Sequence, residues 1–256
     1  MSIPQNIDAA RLNQADSTEI LKLINGCLHC TDEQEFHTLL LSFAAFLGFE
    51  FALYGYTKTA YNNRHYAQVI NLSNPKEWAT EYTRNNYLLH DPVMHETELR
   101  INAEVNISFI YWDTYEWQLS PQQQQVIDRR KYFGLNYGCS IFANSHKKDF
   151  MYLISFASRT MVPNARMEVI AKMVAAHLLA TRKRLDMLML VRSLSKKEQQ
   201  VALEMMQGKT NQEIANEINI TGHTVKFHIK NIFEKLQVNN RLQASAVLLA
   251  ERYLSV

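Results

Sequence analysis

The segment from Asn211 to Leu236, NQEIANEINITGHTVKFHIKNIFEKL, constrains this chain more than any other stretch of it. A short helical run is followed, after a tight turn at Asn219 to Thr221, by a second helix whose Val225, Ile229, Ile232, Phe233 and Leu236 share one face. Two helices joined this closely bury their apolar faces as a helix-turn-helix. Packing that face inward leaves His223, Lys226, Lys230 and Asn231 near the opposite side, with Thr221 and Thr224 at the helix start, where donors meet phosphates and base edges in a major groove. Ser195-Lys196-Lys197-Glu198 reads as a capping box opening a helix to about Met206, Gly208 ends it, and a last helix runs from about Arg241 to Tyr253. No good strand occurs in the last 66 residues. From residue 191 onward nine Lys and Arg face six Glu, a net +3 against +2 for the whole chain, so the small domain carries the positive field.

The 256 residues, 47% hydrophobic, suffice for a large domain beside this small one. Seven glycines never fall in the spacing of a Rossmann fingerprint or a P-loop, which excludes nucleotide-phosphate chemistry of that kind. The first twenty residues hold no basic stretch followed by an apolar run, and no uncharged run of about 18 residues would span a bilayer, so a soluble, cytoplasmic protein is expected. Cys27 and Cys30 form a C-x-x-C without a second pair to complete a metal set, and with Cys139 they read as buried thiols; no metal and no resident cofactor are expected.

In the front part Thr31 opens a capping signature for an amphipathic helix carrying Phe36, Leu40 and Phe43 and ending at Gly48. Residues 49–57 and 66–72 read as strands, and Pro75 opens a helix to about Tyr87. A loop with Asp91-Pro92 ends that helix, and an irregular aromatic stretch, ISFIYWDTYEW, follows. Ser120-Pro121 starts a helix stopped by Gly134, 138–143 and 150–157 form a hairpin around SHKKD, and a long helix runs from Pro163 to about Met187. This order predicts an α+β fold, an α-β-α sandwich with an antiparallel sheet over residues 1–180, then a linker at 181–193 and the small all-α tetrahelical domain at 194–256. The Met-rich helix at 164–187 offers either a dimer seam or plain core.

The run G-K-T-N-x-E-I-A-x-x-x-x-I-T-x-x-T-V-K-x-H-x-x-N-I-x-x-K-L-x-V-x-x-R at Gly208 to Arg241 resembles the LuxR-type DNA-binding module. Ala202 stands where that module usually has Leu, and Leu203 beside it is expected to fill the space. In front, Trp78, Tyr82, Asp91 and Pro92, with Trp112 and Gly138, resemble the six-residue set of the autoinducer-binding domain of quorum-sensing LuxR-type regulators. The resemblance implies an N-acyl homoserine lactone as ligand: Trp78 facing the lactone carbonyl, Asp91 the amide N–H, Tyr82 the acyl carbonyl, Ser155 helping at the head group, Trp112 a ring wall and Gly138 the room beside it. It also places Tyr54 and Leu53 at the ligand, Leu53 narrowing the pocket, while Trp117 competes with Trp112 and Asn74 replaces a common Tyr. Double-stranded DNA with an inverted-repeat operator, bound as a homodimer, is the implied partner.

Residue chemistry agrees with a ligand of this kind. Trp78 and Tyr82, four apart, project an N–H and an O–H from one helix face, and Asp91 accepts. An enzyme acting on the lactone through Asp91, Tyr82, His90 or His95 is the rival of another class, but no nucleophile–base pair stands out. A nearer rival is a regulator of the same type answering to a different small molecule, or to none.

Overall fold

The computed structural model describes residues 12–58, 67–102, 107–112, 119–144 and 150–254; Trp117 and the SHKKD turn lie outside them. The chain divides into two compact units with the boundary after Thr181.

The first unit begins with a helix that the sequence reading misses, α1 (Gln14–His29). Its cap is written in the residues: Asn13 Oδ1 accepts the Asp16 N–H at 2.8 Å while the Asp16 carboxylate accepts the Asn13 N–H at 3.1 Å. In α2 (Glu33–Leu47) the capping residue is Asp32 rather than Thr31, with Glu35 reaching back to the Thr31 N–H at 2.7 Å. Gly48, at φ +84°, closes α2 in the left-handed conformation that a glycine adopts without penalty. Then follow β1 (Phe51–Lys58), β2 (Ala67–Asn71), α3 (Lys76–Arg84) and a single 3-10 turn at Tyr87–Leu89. Asp91-Pro92 does not sit in a terminating loop but opens α4 (Pro92–Asn102), and part of the expected irregular stretch is a strand, β3 (Ile107–Tyr111). The unit continues with α5 (Pro121–Tyr132), β4 (Tyr137–Asn144) and β5 (Phe150–Ser158). Last comes α6 (Ala165–Arg192), which continues past Thr181, so residues 181–192, expected as linker, are helical.

The five strands form one antiparallel sheet in the order β2-β1-β5-β4-β3. Strand alternation then sorts the side chains. Odd-numbered residues of β1 and β5 (Phe51, Leu53, Leu153, Ala157) and even-numbered residues of β3 and β4 (Ile110, Phe142) face Trp78, Tyr87, Val93, Met94 and Val126 from α3 to α5. On the other face Phe156 meets Phe43 of α2, their ring centroids 5.4 Å apart, and Tyr111 donates to Glu168 of α6 at 2.9 Å. Arg166 of α6 pairs with Asp16 of α1, and the Thr181 hydroxyl donates to the Cys27 carbonyl at 3.1 Å. The layers are therefore α1, α2 and α6, the sheet, then α3, α4 and α5. Met167, Ile170, Val174 and Leu178 of α6 are buried within the chain itself, so that face is core rather than a subunit seam.

The second unit holds α7 (Lys196–Met206), α8 (Asn211–Glu217), α9 (Gly222–Leu236) and α10 (Arg241–Leu254) around Val201, Met205, Ile214, Val225, Ile232 and Leu248. Ser195 and Thr210 each close a capping box, and Asn219, at φ +52°, makes the turn between α8 and α9. Leu203 does not fill the place beside Ala202: it is 47% exposed, and Ala202 is itself buried. One helical step rotates a residue by about 100°, which carries Leu203 off the core stripe. Among the described residues no helix is long and apolar enough to cross a membrane.

Candidate functional site

Between the sheet and the α3–α5 layer lies a cavity of about 500 Å³. Trp78, Tyr82, Asp91, Pro92, Trp112, Leu53 and Ser155 all line it, so seven of the residues singled out from the sequence meet at one place. Trp78 and Tyr82 project from the same face of α3 with ring centroids 5.3 Å apart, edge to face. Among the described residues the Trp78 indole N–H makes no hydrogen bond. Tyr82 Oη donates to Asp91 Oδ2 at 2.8 Å, and Asp91 Oδ1 accepts the Val93 N–H at 2.9 Å. Asp91 thus caps α4, which Pro92 opens at a position where a missing N–H costs nothing. Burial pushes the Asp91 carboxyl above the ordinary aspartate range, against the pull of Tyr82, the Val93 N–H and the Arg130 charge. Burial, then the Asp91 charge, holds the Tyr82 phenol well above its usual value, so it stays a proton donor.

The opposite wall is the sheet. Trp112, just past β3, donates its indole N–H to Ser140 Oγ at 2.9 Å, and Ser140 Oγ lies 2.7 Å from Ser155 Oγ across the β4–β5 pair. Gly138 makes Trp112's position possible: a Cβ there would stand 2.5 Å from the indole and 2.6 Å from the Phe156 carbonyl oxygen. Tyr54 is a correction. It alternates with Leu53, so it points to the other face of the sheet, under Phe36 and with its Oη donating to Glu33 at 2.7 Å.

Among the lining residues that the sequence did not single out, two bear most on the cavity's chemistry, Ser140 and Arg130. Ser140 stands two after Gly138 on one strand, so alternation would have placed it beside that residue's neighbours. Arg130 follows Val126 by one helical turn; it is 7% exposed, lines the cavity, and sits 4.4 Å over the Trp112 ring. Its place in the basic run Arg129-Arg130-Lys131 hides it, because cations at a helix C-terminus are ordinary. Its neighbour Arg129 pairs with Glu81 through two bonds of 2.7 Å, joining α5 to α3 across the cavity's roof. Among the described residues no cluster of His, Cys, Asp and Glu fits a metal ion, and Cys27, Cys30 and Cys139 are buried and in no disulfide.

In the second unit α9 turns Val225, Ile232 and Leu236 into the core and leaves His223, Lys226 and Lys230 exposed, with Asn231 partly so. Thr221 and Thr224 are tied together at the helix start: Thr221 Oγ1 accepts the Thr224 N–H at 3.1 Å and lies 2.8 Å from its hydroxyl. Lys230 stands 3.7 Å from Glu234, an exposed pair one turn apart. Phe227, 57% exposed between Lys226 and His228, also belongs to this face and was not singled out.

A roofed cavity with donors and an acceptor at one end, and a capped helix presenting cations in the other unit, define a ligand-sensing DNA-binding regulator. The family model "Autoinducer binding domain" matches residues 32–182, and the model "Bacterial regulatory proteins, luxR family" matches 192–248. The chain belongs to the autoinducer-binding, LuxR-type family of transcriptional regulators, which is not a family of enzymes.

The transcriptional activator protein AnoR of Acinetobacter nosocomialis is 26% identical over 240 residues, covering 87% of this chain and 93% of its own. The transcriptional regulatory protein LiaR of Bacillus subtilis is 49% identical over 53 residues and the nitrate/nitrite response regulator protein NarP of Escherichia coli 41% over 59, and the chain spans about a quarter of the length of each. Escherichia coli SdiA shares the fold, with TM-score 0.54 and 20% identity over 93% of this chain and 98% of that one. An SdiA structure in complex with octanoyl-rac-glycerol superposes at TM-score 0.55, with 19% identity over 95% and 98%. CepR2 of Burkholderia cenocepacia, an N-acylhomoserine lactone dependent LuxR family transcription factor, superposes at TM-score 0.51, with 18% identity over 65% of this chain and 92% of that one.

Proposed function

We propose that this regulator binds an N-acyl homoserine lactone between its sheet and the α3–α5 layer, and that it binds an inverted-repeat operator as a homodimer through α9. The observation that carries the lactone is the convergence of Trp78, Asp91 and Ser155 on one cavity that Val93, Met94 and Leu153 also line. A ligand with an amide N–H, two carbonyls and an alkyl tail matches an acceptor, donors and an apolar end. The N-acylhomoserine lactone dependence of CepR2 supports the same reading. Half-sites about one helical turn apart, or a multiple of it, follow from a two-fold dimer.

Melting temperature with and without a panel of acyl-homoserine lactones tests the claim. A ligand at a hundredfold excess over Kd stabilises the fold by about 2.7 kcal/mol, which in a chain of this size raises Tm by about 5–10 °C. Asp91→Ala should abolish that rise. A panel that leaves Tm unmoved defeats the lactone reading. Octanoylglycerol belongs in the panel because SdiA has been seen holding it; a response to it alone favours a regulator of another amphiphile.

A further inference from the structure

Asn74 lines the cavity, is 8% exposed, and among the described residues its side-chain amide makes no hydrogen bond. Its backbone is held on both sides instead: Asn71 Oδ1 accepts the Asn74 N–H at 2.8 Å, and Asn71 Nδ2 donates to the Asn74 carbonyl at 3.0 Å. Pro75, next in the chain, confines the residue before it to extended backbone. The fold thus fixes an amide with one acceptor and two donor hydrogens against the cavity, stripped of most of its water and given no partner among the described residues. Such a group costs stability unless something completes it. We propose that the guest completes it: Asn74 reads an oxygen on the acyl chain, and the receptor selects chain-oxygenated lactones over plain ones.

The register of the sheet fixes where along the guest this amide acts. Asn71 pairs with Leu53 and Leu53 with Ser155, so the clamp that holds Asn74 belongs to the row that crosses the sheet at Ser155. In the next cavity-facing row to one side, Ala157 packs with Trp78; in the next to the other, Leu153 packs with Val93 and Met94. Each step is about 7 Å along the strands. Asn74 therefore acts at the junction of polar head and apolar tail, and a guest whose amide N–H is held by Asp91 enters this row with the first carbons of its chain. Acyl chains assembled two carbons at a time carry oxygen at the third carbon, as a ketone or a hydroxyl. Both suit a primary amide: Nδ2 donates to either, and Oδ1 accepts from the hydroxyl. A plain methylene offers nothing and leaves the amide dry and unmet.

The inference rests on the lactone reading, and three probes separate the two: N-octanoyl homoserine lactone and its 3-oxo and 3-hydroxy analogues, titrated into the full-length protein. At least one oxygenated analogue should bind about three- to tenfold more tightly than the plain lactone, the worth of one neutral hydrogen bond. A gain confined to the hydroxyl assigns Oδ1 as the reading atom, and a gain shared with the ketone assigns Nδ2. Asn74→Leu, which keeps the side chain's size and drops its polar atoms, should reverse the order, with the plain lactone now the tightest. Asn71→Ala, which unfastens the Asn74 backbone, should shrink the preference toward one, and it carries the test should Asn74→Leu fold poorly. A preference that survives both variants overturns the proposal. So does an equal loss for all three lactones in Asn74→Leu, which puts Asn74 at the acyl carbonyl they share. Unaltered protein that binds none of the three defeats the lactone reading and the inference with it. Unaltered protein that binds all three equally well defeats the inference alone.

Discussion

Asp91 serves two masters, the start of a helix and the floor of a cavity. Its Oδ1 holds the Val93 N–H and its Oδ2 the Tyr82 hydroxyl, yet each carboxylate oxygen has a further lone pair for a ligand N–H. Burial raises its pKa, and a ligand N–H favours the charged form, so the bound pKa lies below the free one. Affinity for the lactone should hold at neutral pH and weaken as pH falls through the raised free pKa, beginning above the ordinary aspartate range near 4. Isothermal titrations from pH 7 down to 4.5 check this, and Asp91→Asn should bind weakly with a flat profile. Removing one side of such a charged bond costs about 1.5–3 kcal/mol, roughly ten- to a hundredfold in Kd. At this scale the sequence was informative where a residue's chemistry is unusual for its place, as for Trp78, Asp91 and Gly138. It misled at Tyr54, because a tyrosine beside an inward Leu53 looks like a pocket residue until strand alternation is applied one residue at a time.

Most elements that announce themselves by caps were legible, although α1 was passed over despite its Asn13–Asp16 capping box, and those whose signals carry two meanings were not. Ser120, Ser195, Thr210 and Thr221 sit where their oxygens close on N–H groups, and the helices behind them were found within a residue or two. Pro92 reads equally as a stop and as a first-turn residue; only the tertiary need to cover β3 and β4 decides for α4. Strand β3 was hidden by its setting, a five-residue strand beside further aromatics with no turn signal before it. The sheet and α5 meet through Gly138 and Trp112, which gives a prediction at this level. Gly138→Ala introduces a methyl within 2.6 Å of both the indole and a backbone oxygen. Backbone cannot yield cheaply, and overpacking of this sort costs about 1–3 kcal/mol. Differential scanning should show Tm lower by about 2–10 °C, and the ligand-induced rise should shrink as Trp112 is displaced; an unchanged Tm and ligand response would show that the ring has room to spare.

For the molecule as a whole, the two units divide charge and task. Lys226 and Lys230 stand exposed on α9 and no described cavity residue is among them, so ligand binding and DNA retention should separate by mutation. Lys226→Ala should keep the lactone-induced rise in Tm while the slope of log affinity against log salt on duplex DNA falls by about 0.9, one phosphate contact. Fluorescence anisotropy across a salt series measures it; a lost ligand response with intact DNA binding would invert the assignment. Residues 1–180 and 194–256 were recognisable as separate bodies because helix periodicity replaces strand alternation between them, whereas the persistence of helix through residues 181–192 was not, since a basic, Met-rich run is as compatible with a connector as with a helix.

The cavity's only ionisable side chains of opposite sign among the described residues are Asp91 and Arg130, and each already feels the other's field. A guest with a net charge would upset that balance in a medium that solvates ions poorly, at a cost of several kcal/mol. Electroneutrality is thus an entrance requirement, one that a ring-opened, carboxylate-bearing relative of a neutral guest would fail.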